Sequence, residues 1–183
     1  MKILTMKFGG TSVADIDRIR AVRDIISDEI RDGWNVVADV SAMSKETNKL
    51  IDLAKLVGVE NLVDPEYDSL ISTGEDVSSS LLAIALNSIK ISSRSWRGWQ
   101  LPIRTDSFHS NAKIEEIKTN QLINSFKEGV KVAVVSGFQG IEQAGRITTL
   151  GRGGSDTSAV AIAAAIDAER CDIYTDVSGI YTT

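Results

Sequence analysis

The residues best suited to chemistry fall into short groups that mix glycines, hydroxyls and single charges. Lys7-Phe8-Gly9-Gly10-Thr11-Ser12 comes first. Glycines let backbone N–H groups approach a ligand closely, and a following helix offers its positive end. With the point charge of Lys7 the group suits a polyphosphate. A plain strand-to-helix turn capped by Ser12 accounts for the same residues. Gly151-Arg152-Gly153-Gly154-Ser155-Asp156-Thr157-Ser158 leads into an alanine-rich stretch, 159–166. It lacks the Gly-Lys-Ser/Thr ending of a P-loop, and Asp156 stands where a dinucleotide fingerprint needs its third glycine. Capping by Ser155, Asp156 or Thr157 is expected, but capping requires neither Arg152 nor so many glycines. Arginine grips a carboxylate or phosphate in a planar, bidentate way, so a binding loop is the better account.

Three weaker groups remain. Ser72-Thr73-Gly74-Glu75 opens a helical stretch, where Glu75 either complements the helix dipole or aims a carboxylate at a substrate ammonium. The residues alone do not separate these. Ser41-Ala42-Met43 with Thr47-Asn48 places hydroxyls between a strand and a helix, where capping suffices as an explanation. The segment from Tyr174 through Thr175, Asp176 and Ser178 to Tyr181 has the composition of many tight turns. His109, the only histidine, lies in a polar loop and reads as a structural residue rather than a base. No His, Cys and carboxylate spacing resembles a transition-metal site, and no Ser/His/Asp arrangement is supported. Trp34, Trp96 and Trp99 read as packing residues.

The elements that must position these groups follow from periodicity. Strands are predicted over 2–8, 36–40, 91–94, 101–104, 130–136 and 171–176. Helices are predicted over 14–32, 47–57, 75–89, 114–128 and 156–168, with Gly33, Gly58 and Gly129 as stops. Residues 60–68, which hold Pro65, read as a connector, and 137–155 as a glycine-rich loop. Alternating strands and helices imply an α/β fold with a mostly parallel sheet covered on both faces. Ligands then bind beyond the carboxyl ends of the strands, in segments 7–13, 41–48, 72–76, 136–156 and 174–181.

Composition narrows the class. The 183 residues suffice for one sizeable core, with 43% hydrophobic and 25% charged residues. A net charge of -5 offers no basic footprint for nucleic acid or an anionic membrane, so an anionic substrate must be met by local donors. No stretch approaches the roughly 20 apolar residues of a membrane span, and the N-terminal run is too short for a signal sequence. With Cys171 as the only cysteine no internal disulfide forms, and a cytoplasmic setting is the expectation. The ending Ile180-Tyr181-Thr182-Thr183 follows directly on a strand and its turn, which reads as a half-finished βα unit.

Taken in order, these segments resemble the aspartokinases. Lys7-Phe8-Gly9-Gly10-Thr11-Ser12-Val13 is similar to that family's opening signature, and Val40-Ser41-Ala42-Met43 with Thr47-Asn48 to its second strand-end motif. Ser72-Thr73-Gly74-Glu75, Ser136-Gly137-Phe138-Gln139-Gly140, the run Thr148 to Thr157 and Ile173 to Val177 continue the likeness over essentially the whole chain. The resemblance implies the amino-acid-kinase fold, a three-layer αβα sandwich, C-terminally truncated, with residues 1–183 an incomplete catalytic domain and regulatory ACT domains beyond it. It implies ATP and Mg²⁺ as cofactors, L-aspartate as substrate, and a homo-oligomer for the full-length protein. By that likeness Lys7, Phe8, Gly9 and Gly10 hold the transferring phosphates with Ser41 nearby, and Thr175, Asp176 and Tyr181 line the nucleotide. Glu75 takes the aspartate ammonium, Arg152 a substrate carboxylate with Thr47, Gly153, Gly154 and Ser155, and Asp156 orients the reacting groups. Sibling kinases acting on glutamate, acetylglutamate or a nucleoside monophosphate share the Lys-Gly-Gly opening, and an aspartate-binding fragment without turnover is a further alternative. Two positions depart from the family's pattern: Ser178 replaces its usual aspartate, and Asp39 interrupts a strand that is normally apolar. If Asp39 faces inward it must find a partner or be neutral.

Overall fold

The chain builds nine strands and six helices among the residues that the computed structural model describes, 1–58, 63–151 and 153–175. In chain order they are β1 (Ile3–Phe8), α1 (Ile16–Arg31), β2 (Asn35–Val40), α2 (Glu46–Val57), α3 (Pro65–Ile71), α4 (Thr73–Ser88), β3 (Ser93–Trp96), β4 (Ile103–Thr105), β5 (Ile114–Ile117), α5 (Asn120–Lys127), β6 (Val132–Ser136), β7 (Gln139–Ile141), β8 (Ile147–Thr149), α6 (Gly154–Ala165) and β9 (Arg170–Tyr174).

The main sheet has the order β3-β6-β2-β1-β9, and every pairing in it is parallel. Its central strands read as near-continuous apolar runs because both faces are covered. Side chains alternate between two cores. Leu4, Met6 and Phe8 with Val36, Ala38 and Val40 pack with Ile19, Val22 and Ile26 of α1 and Leu82 and Leu86 of α4. Ile3, Val37, Ala133 and Val135 pack on the opposite face with Leu122 and Phe126 of α5 and Ile162 of α6. The result is the three-layer αβα sandwich expected from the alternation of elements.

The predicted helix over 114–128 is in part a strand. Ile114–Ile117 pairs antiparallel with β4, with Ile103 opposite Ile117, and the helix starts only at Asn120. Ile114 and Ile117 are three apart, which fits a helical face as well as a strand that packs at its two ends. The glycine-rich loop 137–155 contains an antiparallel hairpin, β7 with β8, which joins β4 and β5 in a second sheet of order β5-β4-β7-β8. The connector 60–68 gives way at Pro65 to α3, where Asp64 caps the helix by accepting from the Glu66 N–H and proline takes the first turn. Proline belongs there, because its missing N–H would have had no intrahelical partner. The short strands expected at 91–94 and 101–104 lie two residues later, and the last strand ends at Tyr174 rather than 176.

Burial ranks the apolar residues of these helices by consequence. Leu82, fully buried in α4, should cost about 2–5 kcal/mol on truncation to alanine. Leu56, which is 84% exposed, should change stability by no more than about 0.5 kcal/mol when truncated. Urea unfolding of the two variants checks the contrast, and similar losses would contradict the assignment of the core.

Candidate active site

Strand ends and helix starts converge on one cleft of about 680 Å³. Strand β1 supplies Lys7 at its carboxyl end, followed by Gly9 and Gly10, and all three line the cavity. The Lys7 ammonium lies 2.6 Å from Asp156 Oδ1 in the first turn of α6. The glycines keep this corner of the cleft uncrowded. A Cβ on Gly9 would stand 3.3 Å from Lys7 Nζ, and one on Gly10 would stand 3.1 Å from the Ala42 carbonyl oxygen.

Strand β2 runs parallel to β1 in a register that sets Lys7 beside Asp39 and Phe8 beside Val40. Ser41, just past its end, donates a hydrogen bond to the Ser155 hydroxyl at 2.9 Å, which ties the β2 end to the start of α6. That helix opens on Gly153 in the left-handed region at φ 74 and has no side-chain cap hydrogen bond. The capping expected from Ser155, Asp156 or Thr157 is therefore absent, and those side chains serve other contacts. Asp156 pairs with Lys7, and Ser155 meets Ser41. A helix start of this kind is a ready anion site.

Helix α4 presents Glu75 from its first turn. The carboxylate is 4% exposed and lines the cavity. Its Oε1 accepts from the Ala42 N–H at 3.1 Å, whereas Oε2 has no hydrogen-bond partner among the described residues. Burial pushes Glu75 up to about 8, with the Ala42 N–H opposing and the nearby Asp39 and Asp76 charges adding to the rise. A buried, half-satisfied carboxylate facing a cavity is able to accept a cation.

Asp39 does face inward and is fully buried. Its Oδ2 accepts from the Ser158 hydroxyl at 2.7 Å, and its Oδ1 has no partner among the described residues. That oxygen occupies the space a side chain at Gly137 would need. Burial pushes Asp39 up to about 7, opposed by the Ser158 hydrogen bond and by the Lys7 charge. The sequence posed two outcomes for this residue, a partner or neutrality. The structure supplies half a partner and a proton affinity near neutrality.

Of the residues singled out in the sequence, Lys7, Gly9, Gly10, Ser41, Thr47, Glu75, Gly153, Gly154, Ser155 and Thr175 border this single cleft. Asp156 reaches it through Lys7. Phe8 does not. Its side chain points the other way along the alternating strand, is fully buried, and stacks on Tyr174 at 4.7 Å between ring centroids. Only its backbone is near the turn through Gly9 and Gly10. Arg152, Asp176, Ser178 and Tyr181 lie outside the described residues. The cleft also includes Tyr67, Ile71, Phe138, Ser110 and Thr149, which were not expected there. Tyr67 and Ile71 are four apart on α3, a helical pair that reading Pro65 as a helix start would have revealed. Among the described residues no group of three or more His, Cys, Asp or Glu side chains gathers as a metal site.

Glu75 and Asp39 both keep a proton in the folded chain at pH values where the unfolded chain has lost it. The unliganded fold is therefore most stable below their ordinary values of 4.5 and 3.8 and loses stability as pH rises through about 8 and about 7, respectively. The urea midpoint should fall between about pH 5 and about pH 8 and then level off, and Glu75→Gln or Asp39→Asn should flatten that fall. Variants as pH-sensitive as the parent would contradict these environments.

Residues 2–183 match the amino acid kinase family. The chain is 50% identical over its whole length to an aspartokinase of Bacillus sp. (strain MGA3) and 49% identical to an aspartate kinase of Pseudomonas fluorescens (strain SBW25), and it spans 44% of the length of each. Among solved structures, an aspartate kinase from Synechocystis superposes with a TM-score of 0.79 at 44% identity, covering 95% of this chain and 28% of that one. Aspartokinase III of E. coli, in complex with aspartate and ADP, superposes with a TM-score of 0.83 at 29% identity, covering 99% of this chain and 51% of that one. A match that runs from the second residue to the last, on a sheet whose strand ends share one cleft, means that the chain belongs to the amino acid kinase family.

Proposed function

We propose that the protein transfers the γ-phosphoryl group of ATP to the side-chain carboxylate of L-aspartate, yielding 4-phospho-L-aspartate and ADP. The observation that carries this reading is the buried Glu75 carboxylate, one oxygen unpartnered, lining the same cavity as the Lys7 ammonium. One group seeks a cation and the other an anion. A zwitterionic acid beside a polyphosphate satisfies both. The relatives named aspartokinase support the choice of acid. Residues 1–183 would then form the first part of a catalytic domain, with regulatory ACT domains elsewhere in a cytoplasmic homo-oligomer serving lysine, threonine and methionine synthesis.

The chemistry asks little of a base. The aspartate side chain has a free pKa of about 3.9 and is already ionised at neutral pH. One of its oxygens attacks the γ-phosphorus, the bond to the bridging oxygen of ADP breaks, and no proton moves. The obstacle is the approach of one anion to another, so alignment and charge neutralisation supply the rate. Lys7 and the amides of Gly9 and Gly10 would meet the phosphates, with the α6 start opposite. Asp156, already paired with Lys7, would set the direction of the ammonium. Arg152 with Thr47, Gly153, Gly154 and Ser155 would hold substrate carboxylate, and Thr175, Asp176 and Tyr181 would line the nucleotide. Mg²⁺, arriving with ATP, would supply further neutralisation of the transferring group. Glu75 would release its proton as the substrate ammonium arrives, because an adjacent cation favours the carboxylate.

Trapping the acyl phosphate as a hydroxamate, with aspartate, ATP and Mg²⁺ and the protein from its whole reading frame, tests the proposal. Product with aspartate and little with glutamate is expected, and no product would refute it. Lys7→Ala should lower kcat by about 10²–10³-fold while aspartate affinity changes by less than about threefold. Loss of aspartate binding with normal turnover at saturation would contradict the role of Lys7.

A further inference from the structure

Asp68 lies in α3, outside the groups assigned a part in the reaction, and is fully buried. A buried carboxylate is costly unless its oxygens are satisfied. Here they are satisfied by three residues, two of which, Ser110 and Thr149, line the cleft. The Ser110 N–H donates to both oxygens at 3.1 and 3.0 Å. The Thr149 N–H donates to Oδ2 at 3.0 Å and the Thr149 hydroxyl to Oδ1 at 2.7 Å. His109 Nδ1 stands 2.9 Å from Oδ2, and a carboxylate acceptor requires the proton on that nitrogen. His109 is itself buried.

The segments so gathered are distant in sequence and adjacent in function. Ser110 and Thr149 line the cavity, as do Tyr67 and Ile71 from α3 itself. Thr149 ends β8, two residues before Gly151. The loop that carries Ser110 is tied to the same strand by the Ala112 N–H, which donates to the Thr149 carbonyl at 2.9 Å. The loop also abuts Gly151 so closely that a Cβ there would stand 2.6 Å from Asn111 Oδ1. Gly151 has φ 74, so both its conformation and its surroundings exclude a side chain. The wall beside Gly151 is thus held by one buried carboxylate and the residues bonded to it.

We infer that Asp68, with His109 as its partner, is a positioning residue for the acceptor side of the cleft: it fixes Ser110, Thr149 and, through them, the glycine-rich loop that receives the amino acid. The inference rests on the functional reading above. The phosphate-side elements, β1 and the Lys7–Asp156 pair, make no hydrogen bond to Asp68. Its loss should therefore be felt by one ligand and not the other.

Calorimetric titration of the whole protein with L-aspartate and, separately, with MgADP tests this. Asp68→Asn keeps the shape but sets an amide N–H₂ against N–H and O–H donors. It should weaken aspartate by about tenfold or more and leave MgADP within about twofold. His109→Ala should weaken aspartate about three- to fivefold, and His109→Asn, whose amide restores a donor near the Nδ1 position, should recover most of that. If Asp68→Asn does not fold, the His109 pair decides by the same criterion. Equal weakening of both ligands, or of neither, overturns the inference and leaves the functional reading standing. A parent protein that binds no aspartate overturns both.

Discussion

A charged amine at the end of a central, fully covered strand sets the terms for everything around it. Lys7 is only 8% exposed, lies on the strand between β2 and β9, and lines the cleft. The ammonium is kept there by Asp156 at 2.6 Å and by the field of Asp39 on the neighbouring strand. A lone buried cation would shed its proton or move out to water. Asp156 answers that charge directly, and its own exposed side chain leaves the ammonium on the cleft. The glycines that follow are the steric counterpart of the same arrangement, since side chains at Gly9 and Gly10 would crowd the ammonium and the Ala42 backbone.

The opposite wall works by the reverse sign. Glu75 is buried with one oxygen on the Ala42 N–H and one without a partner among the described residues. Glu75 and Lys7 line one cavity, so groups of opposite character face the same space. Asp39 adds a carboxylate beneath the floor that most such strands lack. Its single hydrogen bond goes to Ser158 on α6, so it also ties the helix that carries Ser155 and Asp156 to the sheet. The small side chains around it, Gly137 above all, are what make room for it.

Much of this was legible before any coordinates. The all-apolar faces of β1, β2 and β6, the helical spacing of Ile19, Val22 and Ile26, and the stops at Gly33, Gly58 and Gly129 specify the sandwich through local rules. What was misread lay in the second sheet. Its strands are three or four residues long, too short for a period of two to show against a helical alternative, and Ile114 with Ile117 satisfies both templates. Such strands exist because partners arrive from elsewhere in the chain, and no local window contains the partner. The capping of α6 was misjudged for a related reason. Ser155 and Asp156 have ideal cap chemistry, but Ser41 and Lys7 compete for them across the cleft.

The sequence by itself determined which residue types were on offer: a lysine and glycines suited to a polyphosphate, an arginine in a glycine-rich loop suited to a carboxylate or phosphate, a glutamate at a helix start whose part it left open, and a parallel α/β scaffold whose strand ends are where ligands bind. These are properties of residue type and spacing, and they survive any small error in element boundaries. Only the tertiary structure decided which way each side chain faces and what it meets. It turned Phe8 into the core and away from the ligand, left one oxygen of Glu75 without a partner, buried Asp39 beside Lys7, and made Asp68 a node for Ser110 and Thr149, 42 and 81 residues away in the chain. Burial and long-range hydrogen bonds depend on register between distant strands, and register is a property of the packed sheet rather than of any segment within it.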